Sequence, residues 1–145
     1  MNILVDANIL VRLRDAASPH HTPCAEAVRR GIDSGYTLMV CTQAFIEYWV
    51  VATRPTDVNG LGLTPTQAEA DLQDFELTFL ALLEPPGICA RWHELVVRYG
   101  VSGRTAHDTR YVALMLEHGL KNLLTLNPRD FTRYTEITCL APADI

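Results

Sequence analysis

The stretch MNILVDANIL (residues 1–10) sets a carboxylate, Asp6, directly after the apolar run Ile3-Leu4-Val5 and just before Ala7 and Asn8. A continuous apolar run this short reads as a strand covered on both faces, as in parallel sheets. Asp6 then falls at the carboxyl end of that strand, and NILVRLRD can begin a helix after the turn. Ligands of open α/β sheets collect at the carboxyl ends of the strands. The position of this one acid therefore bears on fold and chemistry together.

Beyond this stretch, TPCAEAVRRGIDSG reads as a helix with Thr22 as its cap, Pro23 at the first helical position and Gly35 past its end. YTLMVC (36–41) is a second strand. Thr42 is expected to cap the helix QAFIEYWVVAT, which breaks at Arg54-Pro55 because a residue before proline is pushed out of helical conformation. After the loop TDVNGLGL, Thr64-Pro65-Thr66-Gln67 forms a capping box and launches a helix through about Leu80. Leu82-Leu83 offers a short third strand, followed by a helix around ICARWHELVVRYG, the loop VSGRTA and the helix HDTRYVALMLEHG closed by Gly119. NLLTL (122–126) and EITCLA (136–141) supply the last strands. Strands alternating with helices imply parallel pairing through right-handed crossovers. The expected architecture is a three-layer α/β sandwich around a central, mostly parallel sheet of four to five strands.

Composition narrows the class. A chain of 145 residues is most economically one domain, and 48% hydrophobic with 20% charged residues is ordinary globular usage. No basic region precedes the first apolar run, and no uncharged apolar stretch approaches the ~20 residues needed to cross a bilayer. A soluble, cytoplasmic protein without a membrane partner is expected. The cysteines Cys24, Cys41, Cys89 and Cys139 show no Cys-x-x-Cys pairing and read as buried free thiols. A net charge of −5 argues against bulk attraction to nucleic acid but not against a local site.

Most of the acids, including Glu69, Asp71, Asp74 and Glu76, sit where a solvated helix face accommodates them. Four do not: Asp6, Glu47 within AFIEYWVV, Asp108 at the start of a helix continuing YVALML, and Asp130 between a strand and Phe131. Helical spacing puts Ala44, Val50 and Val51 on the side of Glu47, so its carboxylate projects from a stripe expected to face the sheet. An unpaired buried carboxylate is costly, and Glu47 must take up a proton, meet an arginine or bind a cation. Taken singly, each acid has a plainer role: Asp6 as a helix cap, Asp108 serving the helix dipole, Glu47 paired with arginine, Asp130 as a turn residue.

Gathered at one sheet edge, the acids would raise one another's pKa values or call for a divalent cation. Oxygen donors without a His/Cys framework favour a hard ion, Mg²⁺ or Mn²⁺, over zinc. Such a centre suits phosphodiester hydrolysis, with any free carboxylate orienting the attacking water. Two divalent ions would bring the formal −5 to about −1. Arg104, Arg110, Arg129 and Arg133 are then candidates for phosphate contacts, with solvated surface charge as the plain alternative.

The ordered segments LVDANIL, TQAFIEYWVVATRP, AHDTRYVALMLEHG and LLTLNPRDF together resemble the PIN-domain family, and more narrowly the VapC-type toxins of bacterial toxin–antitoxin pairs. The resemblance runs from Met1 to about Arg133 and implies a single PIN-like nuclease domain over residues 1–145. It implies a metal-dependent endoribonuclease holding one or two Mg²⁺ or Mn²⁺ ions, with Asp6, Glu47 and Asp108 as the first three acids and as both ligands and catalytic groups. The fourth motif is looser. An acid often stands in the family where Asn127 stands here, so Asp130 takes the fourth position and Asn127 a supporting one, with Asn8 and Thr125 as hydrogen-bonding neighbours. The resemblance further implies an RNA substrate, a homodimer and a small antitoxin covering the acidic groove. Phe45, Tyr48 and Trp49, away from the acid's stripe, suit either a partner surface or the core.

The competing reading is a degenerate PIN-like module that binds RNA or a protein without cutting, and retention of all four acids counts against it. Phosphoryl chemistry of other kinds fits less well. DANIL lacks the second aspartate that HAD-type phosphatases carry, the lone Lys121 is misplaced for a receiver domain, and no Gly-x-x-x-x-Gly-Lys loop is present. The five histidines lack ligand spacing, with His107 notable only as a neighbour of Asp108.

Overall fold

The computed structural model describes all residues, Met1–Ile145. Its centre is a five-stranded sheet built from β1 (Asn2–Val5), β2 (Thr37–Cys41), β3 (Leu80–Leu82), β4 (Asn122–Leu124) and β5 (Thr138–Leu140), in the order β3-β2-β1-β4-β5. Every pairing is parallel. The expected α/β architecture is present, with five strands. Six helices connect them: α1 (Ala7–Arg14), α2 (His21–Asp33), α3 (Thr42–Thr53), α4 (Pro65–Thr78), α5 (Ile88–Arg98) and α6 (Thr105–Glu117).

Topology places the cleft. From β1 the chain builds outward through β2 to β3, then crosses back and adds β4 and β5 on the other side of β1. Right-handed crossovers send the helices before and after this reversal to opposite faces. The packing agrees, with α1 against α2 and α3, α3 against α4, and α5 against α6. The point of reversal lies between β1 and β4, where Val5 pairs with Leu124. Asp6 and Thr125, the next residue on each strand, meet there, and ligands of doubly wound sheets bind at such a switch point. Ile3, Leu4, Val5, Leu123 and Leu124 are fully buried, as strands covered on both faces require.

Several local expectations shift. Helix α2 begins at His21, not after Thr22, because its first turn is anchored by a bond between His21 Nδ1 and the Arg12 carbonyl, 2.8 Å. Pro23 falls in the first turn, where a missing N–H costs nothing. Cys41, extended at φ −122°, occupies the cap position of α3, and Thr42 is its first residue. The Thr64 capping box forms as expected, with Gln67 N donating to Thr64 Oγ1 and Thr64 N to Gln67 Oε1. The helix it opens ends at Thr78, and β3 takes Leu80–Leu82 in place of Leu82-Leu83. The run LALL contains no marker of register, and the Leu83 carbonyl is taken up by His118 Nε2 at 2.8 Å.

Two of the expected surfaces also change. Asp71 is no solvated acid: it pairs with Arg14 at 3.0 Å and accepts from the hydroxyl of the fully buried Tyr48. With that partner available, Tyr48 turns inward. Helix α3 therefore buries Gln43, Ala44, Tyr48 and Ala52, while Val50, expected to face the sheet with Glu47, is exposed. A helix apolar nearly all round gives no unique phase from sequence. Among the cysteines, Cys24 and Cys41 are buried, Cys139 is half-buried and Cys89 is exposed.

Candidate functional site

Asp6 is positioned by backbone continuity between the two central strands: its N–H donates to the Leu124 carbonyl at 3.0 Å. It stands at the cap position of α1, yet its side chain makes no capping bond. The carboxylate turns instead toward the end of β4. Its Oδ2 accepts from Thr125 Oγ1 at 2.7 Å and from Asn8 Nδ2 at 2.8 Å. Asn8 also donates to Thr125 Oγ1 at 3.1 Å and accepts from the Leu126 N–H at 3.1 Å. Asn127 N donates to the same Thr125 hydroxyl at 3.1 Å. Capping is thus excluded as the role of this side chain, which is 7% exposed and locked to a neighbouring strand.

The other acids arrive from separate segments. Glu47 lies on α3, Asp108 in the first turn of α6, and Asp130 in a 3-10 turn at Pro128–Phe131. All four border one cleft of about 610 Å³, together with Asn8 and Asn127. Glu47 has no arginine or lysine partner: Oε1 accepts from Gln43 Nε2 at 2.7 Å and Oε2 from the Tyr111 hydroxyl at 3.2 Å. Asp108 is half-buried, whereas Asp130 and Asn127 are exposed at the rim.

Like charges facing one cleft leave an electrostatic signature. Burial pushes the Asp6 carboxyl up from 3.8 to about 6, opposed by the Thr125 bond and reinforced by the charges of Glu47 and Asp108. Burial also raises Asp108, with Asp130 and Glu47 adding to the effect. The donor set is all oxygen, and its mutual repulsion is what a hard cation relieves. No three acidic, histidine or cysteine side chains stand close enough in this arrangement to enclose an ion. The fit to Mg²⁺ or Mn²⁺ therefore rests on donor chemistry and charge.

Of the arginines singled out from the sequence, Arg104 borders the cleft. Arg110 is directed elsewhere, to Gln43 Oε1 at 3.0 Å and Glu84 at 2.7 Å, beside a smaller apolar cavity. Arg129 and Arg133 are exposed and lie outside the cleft lining. Sequence reading missed Arg12 and Arg54, which do border it. Arg54 is placed there by the loop that follows α3: its Nη2 donates to the Asn59 carbonyl at 3.0 Å. A Cβ on Gly60 would lie 1.8 Å from the Arg54 carbonyl oxygen, so only glycine permits this return of the chain. Gln43 and Tyr111, which hold Glu47, were also missed. The signal for Gln43 was its place one helical turn before an acid.

The fold and cleft define a doubly wound α/β protein with carboxylates converging at the switch point of its sheet. The chain belongs to the PIN domain family, whose model matches residues 3–137. No sequence among curated proteins matches it. Several solved structures share the fold at low identity. VapBC2 from Rickettsia felis, bound to a DNA fragment from its promoter, superposes with a TM-score of 0.73 at 13% identity, covering 97% of this chain and 98% of that one. VapBC-1 from nontypeable Haemophilus influenzae gives 0.68 at 14% identity, covering 99% of each chain. Mycobacterium tuberculosis VapC20, described as a Sarcin-Ricin loop cleaving toxin, gives 0.60 at 16% identity, covering 83% of this chain and 86% of that one.

Proposed function

We propose that this chain is a single-domain, Mg²⁺- or Mn²⁺-dependent endoribonuclease, acting as the toxin of a toxin–antitoxin pair. The observation that carries the reading is the convergence of Asp6, Glu47, Asp108 and Asp130, from four separate segments, on one cleft whose deepest carboxylate is buried without a cationic partner. A structural acid at such a depth is ordinarily paired with a positive group.

In this reading the four carboxylates are the metal ligands and catalytic groups, for one or two ions. When bound, such an ion polarises the phosphate and makes water nucleophilic near neutral pH. The chain's own groups prepare the site. Thr125 and Asn8 fix one oxygen of Asp6, Gln43 and Tyr111 fix both oxygens of Glu47, and Asn127 secures the Thr125 hydroxyl through its backbone N–H. A carboxylate oxygen not engaged by metal accepts a proton from the attacking water. Arg104, with Arg54, offers phosphate contacts along the cleft, Arg12 being held by Asp15 at 2.6 Å, while exposed Arg129 and Arg133 serve a strand extending beyond it.

The partner reading is supported by the surroundings. Several fold neighbours are toxin–antitoxin complexes. Ile46 and Val50, 59% and 52% exposed, form an apolar wall of the acidic cleft, suited to a protein segment carrying both apolar and basic side chains. A homodimer is part of the same proposal. So is a cytoplasmic location, for which the direct observation is that no helix is long and apolar enough to cross a membrane.

The test is RNA cleavage by the purified chain with Mg²⁺ or Mn²⁺, using total cellular RNA and a randomised single-stranded pool. Wild type cuts, chelation stops it, and Asp6→Asn and Glu47→Gln remain folded but inactive. A folded wild type that binds RNA and leaves it intact with either ion overturns the nuclease reading in favour of a binding module.

A further inference from the structure

Gln43 is a polar residue where the core would accept an apolar one. It is 7% exposed in the first turn of α3, and every hydrogen-bonding group of its amide is in use. Nε2 donates to Glu47 Oε1 at 2.7 Å and to the His107 carbonyl at 2.8 Å. Oε1 accepts from Arg110 Nη1 at 3.0 Å, and Glu84 holds the same guanidinium from its other end at 2.7 Å.

These partners leave the amide one orientation. Turned over, its oxygen would face the Glu47 carboxylate and the His107 carbonyl, both acceptors, and its NH₂ would face Arg110, a donor. His107 immediately precedes Asp108. One buried amide thus ties the carboxylate of Glu47 on α3 to the backbone that carries Asp108 on α6. Its oxygen holds the Arg110 guanidinium, which Glu84 also engages, while the donors to Glu47 are the neutral Gln43 amide and Tyr111 hydroxyl.

We propose that Gln43 is a positioning residue of the acidic cleft: it fixes the Glu47 carboxylate relative to Asp108 through a neutral donor while holding Arg110 on its own amide oxygen, so that the two acids are ready for a cation. The inference rests on the metal-dependent reading above. Gln43 touches neither ion nor substrate and acts through Glu47. Groups that orient metal ligands in this way commonly govern affinity by 10–100-fold.

The test is calorimetric titration with Mn²⁺ of wild type, Gln43→Met and Tyr48→Phe, each checked by circular dichroism. Methionine keeps the length and volume of glutamine but carries no amide. Tyr48→Phe removes a buried hydrogen bond from the same helix on its far side, and so controls for loss of stability. Gln43→Met is expected to weaken Mn²⁺ binding about tenfold or more, and Tyr48→Phe to leave it unchanged. Wild-type affinity in a folded Gln43→Met protein overturns the inference and leaves the nuclease reading intact. Absence of binding in wild type overturns both. Should Gln43→Met not fold, the wild-type spectrum decides: on adding Mg²⁺ the side-chain NH₂ resonances of Gln43 shift, while those of Gln67, in its exposed capping box, do not. A Gln43 pair as indifferent to Mg²⁺ as that of Gln67 overturns the inference.

Discussion

Asp6→Asn should make the metal-free protein more stable. Burial, with the charges of Glu47 and Asp108, raises the Asp6 carboxyl from 3.8 to about 6. The folded state thus holds this proton more tightly than the unfolded chain does. Stability from the protonated group is fully present below pH 3.8 and is lost as the pH rises through about 6. At about 1.4 kcal/mol per pKa unit, the charged form costs the fold roughly 3 kcal/mol at neutral pH. Asparagine keeps an acceptor for Thr125 and Asn8 and carries no charge. In urea titrations with chelator at pH 7.5, Asp6→Asn should therefore exceed wild type by about 1–3 kcal/mol, and near pH 3.5 the two should agree to within about 0.5 kcal/mol. Mn²⁺ at a hundred times its Kd should return about 2.7 kcal/mol to wild type and little to the variant, erasing or reversing the order. A variant less stable than wild type at pH 7.5 in chelator, or a difference independent of pH, would refute the reasoning: Asp6 would then be an ordinary structural carboxylate.

Other perturbations separate the cleft from the scaffold. Thr125→Val removes a 2.7 Å bond that favours the charged form of Asp6. It should weaken Mn²⁺ binding about tenfold in calorimetry and move the acidic limb of the cleavage–pH profile to higher pH. Its cost in urea unfolding should be about 1–3 kcal/mol, because Asn8 and the Asn127 N–H lose a partner too. Tyr48→Phe leaves Asp71 with Arg14 alone and should cost about 1–2 kcal/mol in the same unfolding assay, with no change in cleavage. Arg104→Ala, measured in the Asp6→Asn background to prevent cutting, should weaken RNA binding and lower the slope of log K against log salt by about 1. An unchanged slope would remove Arg104 from the phosphate path.

How far the site was legible depended on how local its causes are. The strand at Ile3-Leu4-Val5, the proline break after Arg54 and the Thr64 capping box follow from adjacent residues, and all three stand where the sequence puts them. Asp6 and Glu47 were visible because each breaks an apolar pattern in its own segment, a conflict read without knowing what lies opposite, whereas Asp108 at a helix start and Asp130 after a strand gained their weight from the family pattern. Asn8 and Thr125 entered as matches to a family pattern, and their bonds to Asp6 needed the β1–β4 pairing. The facing of α3 was illegible for a different reason. Its surface is apolar nearly all round, so the choice to bury Tyr48 and expose Val50 is made by Asp71 and Arg14, on other helices.

The same dependence on distant partners explains why the arginines were harder to place than the acids. A carboxylate in an apolar run is anomalous by itself, whereas an arginine beside a motif is ordinary until its partner is known. Arg110 looked available for phosphate because Glu84, 26 residues away, and Gln43, 67 residues away, give no sign in its own segment that they claim it. Arg12 and Arg54 were overlooked for the converse reason, since only the return of the chain at Gly60 and the packing of α1 against α3 bring them to the cleft. Charges that conflict with their own neighbourhood announce a site from sequence, while charges that agree with theirs are assigned by the fold. In this chain the two kinds stand on one cleft, where Asp6, Glu47, Asp108 and Asp130 face Arg12, Arg54 and Arg104.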